Sequence, residues 1–284
     1  MKKESVHCEL LDAGKVKCLL CPNYCLLRKD QRGKCGVRKN ENGRLYSLIY
    51  GEATSIALDP IEKKPLYHFH PGEMILSLGT KGCNLKCPWC QNWTISQDLD
   101  CPSENITSQQ VVAKAKELGS FGVAYTYNEP FIWYEFVYDT ARLAHKEGLK
   151  NVLVTNGYIN QKPLEEIIGF IDAMNVDVKS MEEGFYKKYC QGSLAPVLTA
   201  CEFAAKKCHV EITNLVIPTL NDKEEDFEKL TDWIKDRLGQ ETPLHFSRYF
   251  PQYKTNIPPT PVATLEKARE IAEKRLKHVY LGNV

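Results

Sequence analysis

The chain has 284 residues, enough for one large domain or two small ones, and its 43% apolar and 26% charged fractions exclude collagen, coiled-coil and disordered classes. Thirty-seven basic against 36 acidic residues leave a net charge of +1, so the overall charge demands neither nucleic acid nor a membrane as partner. No apolar run reaches the roughly 18 residues of a membrane span, and the first eight residues carry charge with no apolar stretch behind them. The sequence reads as cytoplasmic.

Twelve cysteines are the abnormal feature, and they cluster: Cys8, Cys18, Cys21, Cys25 and Cys35, then Cys83, Cys87 and Cys90. In a reducing compartment such groups point to metal rather than disulfides. Residues 1–72 read as a cysteine-rich, metal-binding segment with connecting strands, broken by Pro60, Pro65 and Pro71. From residue 73 strands and helices alternate. Strands are expected at 74–78, 122–127, 151–155, 173–178, 210–217 and 244–250, with a short last one at 279–281. Helices are expected at 107–118, 131–146, 163–170, 194–207, 222–238 and 263–276, the first capped by Thr107 or Ser108 and the second opened by Pro130. Six alternations imply parallel pairing with right-handed crossovers. With no glycine-rich dinucleotide fingerprint, the α/β fold favoured over 73–284 is a partial six-stranded parallel (β/α) barrel rather than a doubly wound sheet.

The loop after the first barrel strand holds Cys83-x3-Cys87-x2-Cys90, at the strand end where parallel barrels place their chemistry. Three thiolates on a four-iron four-sulfur cube leave one iron without a protein ligand, and an open position is what lets a metal centre bind substrate. A structural zinc site, with Cys101, His68 or His70 as fourth ligand, and inert thiols are the rival readings of the spacing.

This motif, with Trp89 before its last cysteine, resembles the cluster loop of radical S-adenosylmethionine enzymes. Further stretches, Tyr125-Thr126-Tyr127-Asn128-Glu129-Pro130, Val154-Thr155-Asn156-Gly157, Asp177-Val178-Lys179 and the terminal Val279-Tyr280-Leu281-Gly282-Asn283-Val284, look like the radical SAM member of the AmmeMemoRadiSam system. That group is similar to the activating enzymes of pyruvate formate-lyase. The resemblance implies a [4Fe-4S] cluster on Cys83, Cys87 and Cys90, S-adenosylmethionine (SAM) as cofactor, and its reductive cleavage to a 5′-deoxyadenosyl radical that abstracts hydrogen from a substrate. It also implies a flavodoxin- or ferredoxin-like electron donor, a protein or peptide substrate, and proteins of that system as partners. Glu129 would accept from the cofactor's amino group, in a segment where the family's glycines are replaced by Tyr127 and Asn128. Lys179 would contact its carboxylate or ribose.

Read from the residues alone, Glu129 also suits a helix N-terminus. Asp177 and Lys179 share one face of a strand, opposite Val176 and Val178, as cofactor contacts or as a buried ion pair. Thr155 and Asn156 reach the ribose or carboxylate, or simply turn the chain. Where relatives carry a fifth-strand arginine, five residues before the closing proline, this chain has Thr213, so Lys179 or Arg248 is expected to replace it. His245 and Arg248 face the substrate or serve structure.

Cys18-x2-Cys21-x3-Cys25-x9-Cys35 offers four thiolates and no open position, which suits a structural zinc or a second iron–sulfur cluster. Cys201 and Cys208, seven apart, read as buried thiols on one helix face, and the aromatic run from Phe131 to Tyr138 as helix core. An iron–sulfur adaptor without turnover and non-radical SAM cleavage remain as alternative functions.

Overall fold

The structure, a computed structural model, describes residues 1–284. Eight strands form its central sheet: β1 (Ser55–Pro60), β2 (Met74–Gly79), β3 (Gly122–Tyr125), β4 (Lys150–Thr155), β5 (Ala173–Asp177), β6 (His209–Val216), β7 (Leu244–Arg248) and β8 (Val279–Gly282). They lie side by side in chain order. From β2 to β8 all neighbours are parallel, while β1 runs antiparallel to β2 with Ile56 opposite Leu78. Sequential parallel order is the pattern of a barrel; a doubly wound sheet reverses direction from a central strand. β1 and β8 do not pair, so the barrel is open. All six expected strand–helix alternations are present. The sheet is longer by one strand at each end, because β8 pairs in full parallel register with β7 and β1 comes from within the N-terminal segment.

The crossovers carry α1 (Ser108–Glu117), α2 (Tyr134–Lys146), α3 (Gln161–Ile167), α4 (Ala195–Ala204), α5 (Glu224–Arg237) and α6 (Val262–Ala272). Thr107 caps α1 reciprocally: its hydroxyl accepts from the Gln110 amide, and the Gln110 side chain accepts from the Thr107 amide. A 3₁₀ turn, Pro130–Trp133, precedes α2. Phe131, Trp133, Tyr134 and Phe136 are buried there as core, with the Trp133 indole N–H donating to the Ile49 carbonyl at 2.7 Å. Cys201 is buried in α4, but Cys208 lies past the end of that helix and is partly exposed, so the two share no helix face. Chain termination of α4 at Ala204 is the reason.

Residues 3–47 form two small antiparallel sheets, one from Lys3–Glu4, Arg44–Ser47 and Arg38–Glu41, the other from Cys8–Leu10, Val16–Cys18 and Leu26–Leu27. A buried ion pair pins them to the barrel. The Arg38 guanidinium donates to both Glu135 carboxylate oxygens on α2, at 2.9 and 2.7 Å, and to Ser5 Oγ at 2.6 Å. The bidentate fork matches the carboxylate plane, which is why arginine suits this position.

The N-terminal end of the barrel is plugged by residues 61–70. Asn175 of β5 donates to the Pro65 carbonyl at 2.7 Å. Glu211 of β6 accepts from the Tyr67 and His68 amides at 3.0 and 2.8 Å. Tyr67 packs edge-on against His245 of β7, and Phe69 lies against Phe121 at the start of β3. This placement decides two readings that the sequence left open, for His245 in favour of its structural role. His245 is the second residue of β7, remote from the cysteine loop, and its ring meets the buried Glu211 carboxylate at 2.6 Å; it does not face a substrate. His68, tilted against His278, and His70, stacked on Phe121, belong to the plug and cannot serve as a fourth ligand for the Cys83 loop.

Burial pushes the Glu211 carboxyl up, but His209, His245 and the two amides outweigh it and hold it at about 2. A carboxylate depressed on folding stabilises the native state above its unfolded pKa and loses that contribution as pH falls through its native one. Glu211→Gln should therefore cost roughly 3 kcal/mol at pH 7, with the difference from wild type shrinking steadily below about pH 4.5. Urea denaturation at pH 7 and pH 3.5 measures both.

Candidate functional site

β2 ends at Gly79, and the chain then turns over the C-terminal mouth of the barrel as the cysteine loop. Gly82, at φ +94°, lies where a Cβ would come within 2.7 Å of the Cys35 carbonyl, so only glycine lets the loop leave the strand this way. Cys83, Cys87 and Cys90 line one wall of a cavity of about 380 Å³ at that mouth. Glu129, Thr155, Asp177, Lys179 and Thr213, from successive strand ends, line the rest. Sheet register brings these residues together from 130 positions of sequence: Thr155 pairs with Val176, and Asp177 with Thr213.

Polar hydrogens are aimed at the sulfurs. Leu85 N donates to Cys83 Sγ at 3.4 Å, Asn156 Nδ2 approaches the same sulfur at 3.6 Å, and Ser96 Oγ lies 3.1 Å from Cys90 Sγ. Burial raises the Cys83 and Cys90 thiols above their ordinary pKa, and the Cys87 thiol is raised first by contact with Cys190 and then by burial. Such thiols become thiolates only beside a strong positive charge, which a metal centre supplies. No three histidine, cysteine, aspartate or glutamate side chains converge as the ligand set of one metal ion. A cube gives each thiolate its own iron, so its ligands stand apart, and three sulfurs on an open loop with donors around them fit that group.

The expected supporting residues fall into two kinds. Glu129 is fully buried and carries three protein hydrogen bonds: from Phe131 N (2.9 Å) and Thr155 Oγ1 (2.7 Å) to Oε1, and from Asn156 N (2.8 Å) to Oε2. A carboxylate has about four acceptor positions, so one on Oε2 is left for a ligand. Burial, opposed by those donors, places its pKa at about 7. Lys179 and Asp177 both line the cavity and pair at 3.1 Å, with Val176 and Val178 buried behind them. Burial works against the Lys179 ammonium, but Asp177 holds it charged.

Others brace rather than bind. Asn128 is spent on the loop before Cys83: its Oδ1 accepts from Thr80 N at 3.1 Å and its Nδ2 donates to the Gly82 carbonyl at 2.8 Å. Asn156 donates through Nδ2 to Asn84 Oδ1 at 2.9 Å. Arg248 points away from the cavity, donating to the Thr260 carbonyl at 2.8 Å beside the Phe250 ring, while its neighbour Ser247 faces inward. Arg248 thus does not replace the missing arginine; strand alternation puts it on the wrong side.

Three residues escaped the sequence reading. Asn84, inside the motif, is buried and ties the loop to the β4 end by donating to the Tyr158 carbonyl at 2.7 Å. Cys190 ends a π-helical turn (Tyr186–Cys190), sets its thiol against Cys87, and accepts from the Lys86 amide at 2.9 Å. Lys64, buried over the Tyr127 ring, pairs at 2.7 Å with Asp59, which also accepts from the Tyr127 hydroxyl. The cavity floor is built on that trio. Only Asn84, by its position between motif cysteines, left any signal in the sequence.

Cys18, Cys21, Cys25 and Cys35 lie in one neighbourhood, where the Cys21 thiol feels the charges of the other three. The Lys34 amide donates to Cys25 Sγ at 3.3 Å, and the Asn23 side-chain amide approaches Cys21 Sγ at 3.7 Å. Burial raises Cys18 to about 11 and Cys21 to about 12.

The chain is 47% identical over 287 residues to the uncharacterized protein MJ0808 of Methanocaldococcus jannaschii, an alignment covering 99% of this chain and 85% of that one. It is 26% identical to the pyruvate formate-lyase-activating enzyme of Clostridium pasteurianum over 55% of this chain and 67% of the other. Among solved structures, Streptococcus suis SuiB bound to S-adenosylmethionine matches with a TM-score of 0.57 at 13% identity, over 74% of this chain and 52% of that one, a likeness of fold alone. The family model of the Radical SAM superfamily matches residues 77–234, more than half of the chain and all of the three-cysteine loop. With the open parallel barrel and the cysteine loop at its mouth, these matches establish that the chain belongs to the Radical SAM superfamily.

Proposed function

We propose that this protein binds S-adenosylmethionine at a [4Fe-4S] cluster held by Cys83, Cys87 and Cys90, and uses it for activase-like hydrogen abstraction from a protein or peptide. The single observation that carries this is the three-thiol loop opening on a cavity lined by the buried Glu129 carboxylate and the Lys179 ammonium. When bound, the cluster supplies the electron that cleaves the cofactor's carbon–sulfur bond to give a 5′-deoxyadenosyl radical. The chain's residues do the rest. The remaining Oε2 position of Glu129 receives the methionyl ammonium, and the Lys179 ammonium meets the carboxylate or ribose, the role that Thr213 cannot fill. Thr155 and Asn156 hold Glu129 in place, and Asn128 and Asn84 hold the loop. The plug at the far end keeps water out of the cavity floor.

The four N-terminal thiolates, zinc or iron–sulfur ligands by their number, do not converge on a single ion, which supports a cluster over zinc. Relatives of the activase kind support a protein or peptide substrate at the barrel mouth and a small electron-carrier protein as donor; the sequence resemblance alone suggests proteins of the AmmeMemoRadiSam system as partners. Anaerobic reconstitution with iron and sulfide, followed by dithionite and cofactor, is expected to release 5′-deoxyadenosine in liquid chromatography. A fully reconstituted sample that yields none, or that yields an aminocarboxypropyl product, refutes the reading.

A further inference from the structure

The two cysteine groups are wired together. Asn23 Nδ2 reaches Cys21 Sγ at 3.7 Å and the Asn84 carbonyl at 2.9 Å. The peptide nitrogen on the other side of that carbonyl is Leu85 N, which donates to Cys83 Sγ at 3.4 Å. One side-chain amide and one peptide unit thus join a sulfur of each group. The backbones touch as well, at Gly82 against the Cys35 carbonyl. A zinc knuckle that only held the N-terminal segment together would need neither contact.

The surroundings favour a carrier of negative charge. Residues 1–40 hold ten lysines and arginines against four acids, in a chain whose total is nearly balanced. Arg28, Lys29 and Arg32 are exposed on the turn between Cys25 and Cys35, and Arg38 is buried where its charge acts on Cys18 and Cys35.

We propose that Cys18, Cys21, Cys25 and Cys35 ligate a second iron–sulfur cluster, through which an acidic electron-carrier protein of the flavodoxin class, docked on the Arg28–Arg32 turn, reduces the cluster of the Cys83 loop. One electron leaves the carrier, which is oxidised, passes to the four-cysteine cluster, and moves on to the three-cysteine one across the Asn23–Asn84 bridge. No proton or ligand is exchanged, since full thiolate ligation leaves nothing to displace. The proposal rests on the SAM-cleavage reading for its destination.

The test uses the full chain, reconstituted anaerobically. A Cys83→Ala/Cys87→Ala/Cys90→Ala variant should keep about four irons per chain and a reduced-cluster electron paramagnetic resonance signal. Zinc in place of iron, or no metal, overturns the proposal whatever the enzyme does. In a second variant, Arg28→Glu/Lys29→Glu, 5′-deoxyadenosine formation driven by reduced flavodoxin should fall roughly tenfold or more at low ionic strength, with the gap to wild type narrowing as salt screens the charges, while the dithionite-driven rate stays at the wild-type level. An undiminished flavodoxin-driven rate overturns the docking site. Failure of the wild-type protein to cleave cofactor with dithionite would sink the SAM reading instead, and the iron count of the triple variant is independent of it.

Discussion

Cys83→Ala is expected to lower 5′-deoxyadenosine formation at least a thousandfold, or about 4 kcal/mol of transition-state stabilisation. Three protein sulfurs are the fewest that can hold a cube with one free corner, so removing one takes away the centre rather than weakening it. The variant should lose its iron-dependent visible absorption while its far-ultraviolet circular dichroism stays native, because Cys83 contributes little to the core beyond its loop. Retained activity at the level of the wild type would show that the chemistry lies elsewhere. A variant that loses its iron but keeps its cellular role would favour an adaptor.

Glu135→Leu should destabilise the protein by about 3–5 kcal/mol, the usual cost of stranding a buried charge. Arg38 is 1% exposed and Glu135 4%, and the guanidinium has no other acid within reach. Its Nε already lacks a partner, and its other acceptors, the Ser5 hydroxyl and the Ile132 carbonyl, carry no charge. The double change Arg38→Met/Glu135→Leu should recover most of the loss, since an apolar pair of similar volume needs no solvation. Thermal denaturation of the three variants decides it: a double variant no better than the single one would mean that packing, not charge, is at stake.

The barrel and the cysteine loop were legible in the sequence because both are local signals. Strand–helix alternation shows as a change of hydrophobic period, and Cys83, Cys87 and Cys90 stand within eight residues. The inward face of β5 was legible too, from Asp177 and Lys179 alternating with Val176 and Val178. What could not be read was pairing at a distance. Glu211 meets Tyr67 across 144 positions and His245 across 34, so a structural role for His245 could be read but its partner could not. Arg248 was misplaced for a different reason, since a strand's phase depends on register, and a one-residue error exchanges inside for outside. Asn128 sits where a cofactor ligand was expected, but which of its two amide atoms is free depends on the neighbouring Thr80 and Gly82 backbone. Local sequence holds no record of that.

The plug formed by residues 61–70 has a kinetic consequence. With one end of the barrel corked, the mouth is the face that, under the proposed function, a bulky macromolecule covers to present its reacting atom. On that reading, loading of the nucleotide precedes docking, and the spent nucleoside leaves only after the visitor departs. Turnover should follow a compulsory order, with dissociation of the larger reactant setting its pace.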